Sequence, residues 1–103
     1  MPTSKDYYSY VAERLNGIDF VSFKKMMGEY IIYYKDKVVG GIYDDRFMLK
    51  ITKSSEELIP DAPKDIPYEN AKKTFVIEDD VDKDTLLKLF EGVYSDLPPK
   101  KRG

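Results

Sequence analysis

Apolar residues near the amino end recur at the spacing of a helix. They would line one helical face, formed by Tyr7, Tyr8, Val11, Ala12, Leu15 and Ile18. Thr3 is the expected N-cap, with Asp6 three residues later in a pattern close to a capping box. Asn16 and Gly17 are expected to end the helix, because glycine readily takes the left-handed conformation of a helix cap.

From Val21 to Thr52 the pattern changes to the two-residue period of β-strands. In a first strand we expect Val21, Phe23 and Met27 to alternate with Ser22 and Lys24. Residues 30–34 are all β-branched or aromatic, a composition that suits a pleated sheet. Residues 35–37 form a polar tip before a return strand at 38–43, which together predict a hairpin. Asp44 and Asp45 make the next turn. A half-buried strand is then expected, with Phe47, Leu49 and Ile51 inside and Met48, Lys50 and Thr52 outside.

Two adjacent glycines, Gly40 and Gly41, interrupt the return strand. Glycine weakens a strand and marks a bulge or a close approach by another group. We interpret the pair as a bulge or as the place where a helix packs closely. The alternative is a ligand or a partner backbone lying against the strand.

The carboxyl half predicts a short helix, a loop, a strand and a long helix. Residues 54–58 can form the short helix, with Ser54 or Ser55 as its cap. Three prolines break the loop of about a dozen residues that follows, and residues 73–78 form a final strand. Asp82 is expected to cap the last helix, within which Gly92 allows close packing. Its apolar stripe consists of Leu86, Leu87, Phe90, Val93, Tyr94 and Leu97.

The order of these elements predicts one α+β domain of two layers. An antiparallel β-meander would be packed by the amino- and carboxyl-terminal helices. The chain has 103 residues, which suits a single domain. We assign residues 1–97 to it and expect residues 98–103 to be a short, disordered basic tail.

Composition removes most catalytic chemistry and all thiol chemistry. The chain has no His and no Cys, so it lacks the commonest general base and any disulfide. Asp44 with Asp45, and the acidic run at 78–84, are explained by turn and helix-dipole chemistry rather than by a metal. We therefore expect no catalytic residue, no metal and no cofactor, and a protein that is not an enzyme.

Charge and hydropathy bear on partners and location. The net charge of −2 argues against nucleic acid binding. No run of 18 apolar residues exists, and residues 1–6 are polar, without the apolar segment of a secretory signal. These features predict a cytoplasmic protein without a membrane segment.

Residues 24–50 carry a resemblance to a known family. Their pattern is a basic residue, a Met-x-Gly-Glu-Tyr motif, a tyrosine, a hairpin and a pair of aspartates before a lysine. This resembles the TfoX N-terminal domain family of small bacterial domains related to a regulator of competence for DNA uptake. The matching residues are Met26, Gly28, Glu29, Tyr30, Tyr33, Asp44, Asp45 and Lys50. Met27, Ile31, Asp36 and the Gly40-Gly41 pair depart from the family pattern.

The resemblance implies an antiparallel sheet with helices on one face, and a regulatory or interaction role without catalytic residues. Our leading hypothesis is a non-enzymatic interaction module that forms a homodimer and contacts a regulatory protein. A small-ligand-binding domain is the second hypothesis, and direct nucleic acid binding through Lys24, Lys25 and the basic tail is the third. The candidate binding residues are Lys25, Glu29, Tyr30, Asp45 and Lys50. They could instead serve only to fix the sheet.

Overall fold

The computed structural model describes residues 2–99 and contains three helices and six strands within them. In chain order these are α1 (Lys5–Leu15), β1 (Val21–Met26), β2 (Glu29–Tyr34), β3 (Lys37–Tyr43), β4 (Arg46–Leu49), α2 (Lys53–Leu58), β5 (Lys64–Asp65), β6 (Thr74–Val76) and α3 (Lys83–Asp96). The tail residues Lys100, Lys101 and Arg102 lie outside the described residues, so the disordered tail stays a prediction.

All six strands form one antiparallel sheet in the order β1-β2-β3-β4-β6-β5. The first four strands are the predicted meander, and α1 and α3 pack on the sheet, so the α+β fold is confirmed. The two-residue β5 was not predicted, because it lies inside the proline-rich segment. It pairs with β6 and forms the edge of the sheet beyond that strand.

Three tight turns connect the first four strands, and each has positive φ at both central residues. This is the geometry of type I′ turns, whose twist matches that of a hairpin. The φ values are 52° and 84° at Met27 and Gly28, 49° and 69° at Lys35 and Asp36, and 50° and 58° at Asp44 and Asp45. The turns predicted at residues 35–37 and 44–45 are confirmed, whereas the turn at Met27 and Gly28 was not predicted. Met27 lies in a turn and not in β1.

The core lies between the sheet and the helices. Val11 and Leu15 of α1, Phe90 and Val93 of α3, and Ile32 of β2 are all nearly inaccessible to solvent. Burying one such side chain contributes about 1.5–3 kcal/mol to the free energy of folding, so this layer is the main source of the protein's stability. Leu89 is also fully buried, although it was missing from the predicted stripe. Leu87, which was included, is 43% exposed.

Helix α1 begins one residue later than expected. Ser4, not Thr3, is the N-cap, and its hydroxyl accepts a hydrogen bond from the Tyr7 amide at 3.1 Å. Thr3 is 8% exposed, and its hydroxyl donates to the Ile42 carbonyl oxygen at 3.2 Å. The assignment of the cap to Thr3 is therefore wrong, because this side chain is used to anchor the segment to the sheet.

Helix α2 packs against α3 at the position of Gly92. A Cβ atom at Gly92 would lie 2.5 Å from the Cβ of Ser54, so only glycine allows this approach and the predicted close packing is confirmed. Thr52, and not Ser54 or Ser55, caps α2. Ser55 is the third residue of the helix, and it completes a capping box by accepting from the Thr52 amide at 2.7 Å.

Strand β4 is shorter and more buried than expected. It ends at Leu49, and Met48 is only 1% exposed, so the expectation of a solvated outer face at Met48 is wrong. The reason is tertiary, since the chain segment at residues 67–74 lies over this part of the sheet. The final strand is likewise shorter than the predicted 73–78, although Phe75 and Ile77 lie in the core as expected.

The glycine pair in β3 lies at a bulge, which is one of the two interpretations that we favoured from the sequence. The β2–β3 register shifts between Ile32 and Tyr33, which face Gly40 and Val38, and this leaves Val39 as the extra residue. A Cβ at Gly40 would lie 2.1 Å from the Met48 carbonyl oxygen, so no other residue fits there without moving the backbone.

Candidate functional site

The five candidate residues do not form one pocket. Glu29 and Asp45 lie at adjacent turns, Tyr30 is in the core, Lys25 is on the outer strand β1, and Lys50 follows β4 on the other side of the sheet. Each must therefore be considered where it lies.

Glu29 and Asp45 hold the amino-terminal segment against the sheet. The Glu29 carboxylate accepts hydrogen bonds from the Thr3 amide at 2.8 Å and from the Asp44 amide at 3.1 Å. The Asp45 carboxylate accepts from the Ser4 amide at 2.8 Å, and the Asp45 amide donates to the Thr3 hydroxyl at 3.3 Å. These bonds join the start of α1 to the β3–β4 turn. The interpretation that they fix the fold accounts for both carboxylates.

Tyr30 has a packing role. It is 9% exposed, and its ring stacks on Tyr8 of α1 with the centroids 4.1 Å apart. Tyr8 also meets the edge of the Phe23 ring at 5.4 Å. Three aromatic rings thus join α1 to β1 and β2. Lys25, which lies on β1 beside them, is exposed.

Strand β1 is an unpaired edge of the sheet. The Lys35 amide donates to the Phe20 carbonyl oxygen, so the backbone groups of Phe20 point toward β2. By alternation, the backbone groups of Ser22, Lys24 and Met26 also point toward β2. The backbone groups of Val21, Phe23 and Lys25 consequently point away from the sheet. No described residue forms a hydrogen bond with them. Large apolar side chains are exposed at both ends of the strand, since Phe20 is 67% and Met27 is 96% exposed.

A cavity of about 620 Å³ lies on the sheet face opposite the helices, and we call it the outer-face cavity. Ile31, Val38, Gly41 and Met48 form its floor, Tyr43 and Tyr68 form an aromatic wall, and Lys50 lines its side. The two tyrosine rings are 5.7 Å apart and inclined at 58°. Burial raises the pKa of the Tyr43 hydroxyl and lowers the pKa of the Lys50 ammonium.

Arg46 holds the segment that walls this cavity. Its guanidinium forms a 2.8 Å ion pair with Asp65 and donates to the backbone oxygens of Ile66 and Pro67 at 3.2 and 3.4 Å. A second, more open cleft beside it is lined by Glu29, Arg46, Asp65 and other polar residues, and these three side chains are already paired. Arg46, Tyr43 and Tyr68 were absent from the candidate residues. From the sequence, Lys50 among the candidate residues and the Gly40-Gly41 pair pointed to this face.

Residues 2–99 contain neither a group of metal ligands nor a membrane-spanning helix. No three His, Cys, Asp or Glu side chains are grouped so that they could hold a metal ion there. Within the same residues, no helix is long and apolar enough to cross a membrane.

The fold and the motif together define a class of small α+β domain. In it, a Glu at the start of β2 and an Asp-Asp turn after β3 secure the amino-terminal helix. The family model described as TfoX N-terminal domain matches residues 13–95, so the chain belongs to the TfoX N-terminal domain family.

One curated relative comes from Spirochaeta aurantia and is described as an uncharacterized 12.7 kDa protein in the trpE 5′ region. It is 33% identical over 82 residues, which cover 80% of this chain and 71% of the relative. No solved structure matches the chain.

Proposed function

We propose that this chain is a non-enzymatic interaction module whose β1 edge receives an extended segment of a protein partner. The unpaired edge carries the proposal: three residues, Val21, Phe23 and Lys25, present free backbone donors and acceptors in one line. Such an edge is a template for an added strand, in which backbone hydrogen bonds supply affinity and side chains supply specificity.

The side chains of β1 favour an acidic partner. Lys24 and Lys25 are exposed on the strand, which has no carboxylate of its own. Phe20 and Met27 offer apolar contacts at its two ends. The net charge of −2 provides no broad positive field for a nucleic acid, so a protein segment with acidic residues is the better match.

The same lysines disfavour those registers of a β1–β1 pair between two copies that set Lys24 opposite Lys24, because like charges repel. The homodimer expected from the sequence stays a prediction. Light scattering tests it separately: a mass of twice 12.0 kDa supports the dimer, and a mass of 12.0 kDa at all concentrations removes it.

Three observations support a role without catalysis. The chain has no His or Cys. The Glu29 and Asp45 carboxylates are engaged by backbone amides. No acidic residue lines the outer-face cavity with Lys50, so that cavity holds no carboxylate–lysine pair for acid–base work.

Selection from a random peptide library on the immobilised full chain tests this function. We expect the enriched peptides to be acidic and to alternate in polarity. A Lys25→Pro variant should weaken their binding by about tenfold or more, since proline removes an outward donor without breaking the β1–β2 ladder.

Lys25→Ala is the matched control, because it removes the same charge but keeps the backbone donor. It should weaken binding less than Lys25→Pro does. The proposal fails if no peptide is enriched, or if peptides bind the Lys25→Pro variant as tightly as the wild type while it remains folded by circular dichroism.

A further inference from the structure

The outer-face cavity lies outside the β1 edge and plays no part in the function proposed above. Its floor is formed by the bulged strand β3 and by β4. A Cβ at Gly41 would lie 2.4 Å from the Tyr43 ring, so glycine is what lets this ring lie across the strand. With about 620 Å³, the cavity is in the range of small-molecule sites, which are commonly 300–1,000 Å³.

The walls of the cavity differ in exposure and chemistry. The sheet side is largely apolar, and Met48 is almost fully buried in it. The other side is the segment at residues 67–74, in which Tyr68 is 61% exposed and its ring faces that of Tyr43. Two inclined aromatic rings above an apolar floor suit a flat, apolar body.

The ammonium group of Lys50 has no negatively charged partner among the described residues. It is half-buried, and no described side chain or backbone group forms an ion pair or hydrogen bond with its ammonium. Lys72 and Lys73 also line the cavity, and no Asp or Glu does. A desolvated cation in an apolar site is unfavourable until an anion is placed beside it. The same desolvation lowers the pKa of the Lys50 ammonium.

We propose that the outer-face cavity binds a small aromatic carboxylate. The flat body would lie on the apolar floor, against the aromatic wall that the Tyr43 and Tyr68 rings form together, and the carboxylate would pair with the Lys50 ammonium. A carboxylate fits better than a doubly charged phosphate, because Lys50 is the only half-buried cation lining the cavity, and Lys72 and Lys73 are exposed at its rim.

A titration of the isotope-labelled full chain, followed by NMR, tests the proposal. The probes are 2-naphthoate, the neutral analogue 2-naphthylmethanol and 2-naphthyl phosphate. We expect 2-naphthoate to shift the amide signals of Gly40, Gly41, Met48 and Tyr68. The neutral analogue should bind about tenfold or more weakly, since it loses a charge-assisted hydrogen bond.

Variants separate the charge from the aromatic wall. Lys50→Met keeps most of the aliphatic side chain and should reduce 2-naphthoate affinity by about tenfold while leaving binding of the neutral analogue unchanged. Lys88→Met is the matched control, an exposed lysine of α3 outside the cavity, and should change neither. Tyr68→Ala, at an exposed position, should weaken both probes.

Three outcomes would overturn the proposal. The first is an absence of shifts at millimolar 2-naphthoate. The second is equal binding of the neutral and charged probes. The third is tighter binding of the phosphate than of the carboxylate, which would assign the site to a different anion. Because Lys25→Pro leaves this cavity untouched, failure here and failure of the β1 edge are independent results.

Discussion

At the scale of single residues, the motif that identifies the family is mostly used to build the fold. Glu29 and Asp45 each bind backbone amides of the segment before α1, and Tyr30 stacks on Tyr8 of the same helix. A short segment without regular structure is thereby fixed to the sheet. The geometry explains why carboxylates stand at these positions, since both oxygens of Glu29 and one oxygen of Asp45 accept hydrogen bonds from backbone amides.

Replacement of Glu29 by Gln tests this role. Glutamine keeps the shape but offers one acceptor and one donor to the amides of Thr3 and Asp44. We expect a loss of about 1–2 kcal/mol in the free energy of unfolding, measured with urea, and faster hydrogen exchange at Thr3. Glu13→Gln, at an exposed position of α1, is the control and should be nearly neutral. Equal stability of the two variants would contradict the assignment.

At the scale of elements, positions that depend on local pattern were predicted and positions that depend on distant neighbours were not. The stripe of α3 and the strands around the turns follow from periodicity and composition. Burial of Met48 does not, because the segment at 67–74 that covers it has no apolar pattern of its own. The caps at Ser4 and Thr52 differ from expectation by a few residues, because several hydroxyl residues in a row can each serve as a cap.

The candidate site shows the same division. The family motif can be recognised in the sequence, but its residues lie in different parts of the structure. The outer-face cavity, in contrast, is lined by residues that are far apart in the sequence. Tyr43 and Tyr68 meet because Arg46 fixes the intervening segment through Asp65 and Pro67. No local signal encodes that contact, and only the glycine pair indicated that something unusual occurs on β3.

The α2–α3 contact allows a test at the element scale. Alanine at Gly92 would place its Cβ 2.5 Å from the Ser54 Cβ. We expect a net loss of about 1–2 kcal/mol on urea unfolding, because overpacking outweighs the gain of about 1 kcal/mol in helix propensity. Adding Ser54→Gly should recover part of the loss by removing the clashing atom. A Gly92→Ala variant that is more stable than the wild type would show that the helices can separate without cost.

At the scale of the whole molecule, one sheet face is covered by helices, whereas the β1 edge and the outer-face cavity remain open. Several carboxylates on the helices of the covered face accept hydrogen bonds that lower their pKa values. The hydroxyl of Tyr34 and then the ammonium of Lys35 lower the pKa of Glu91, and the desolvated Tyr34 hydroxyl has its own pKa raised to about 12. Hydrogen bonds from Thr85 lower the pKa of Asp82. A hydrogen bond from the Ser54 amide lowers the pKa of Asp96.

These depressed pKa values predict acid sensitivity. A carboxylate whose pKa is lower in the folded state stabilises that state above its unfolded pKa of about 4, and the contribution is lost as the pH falls through the folded value. We expect a lower melting temperature at about pH 3 than at about pH 6, by circular dichroism. A Glu91→Gln variant should show a smaller difference between the two conditions. A melting temperature that is unchanged or higher in acid would contradict this expectation.

The central claim is that β1 accepts an added strand, and hydrogen exchange of individual amides tests it most directly. In the free chain, the amides of Ser22, Lys24 and Met26 should be protected by β2, and those of Val21, Phe23 and Lys25 should exchange rapidly. A saturating acidic peptide from the selection should protect all six. Rapid exchange at Val21, Phe23 and Lys25 in the saturated complex would contradict strand addition at this edge.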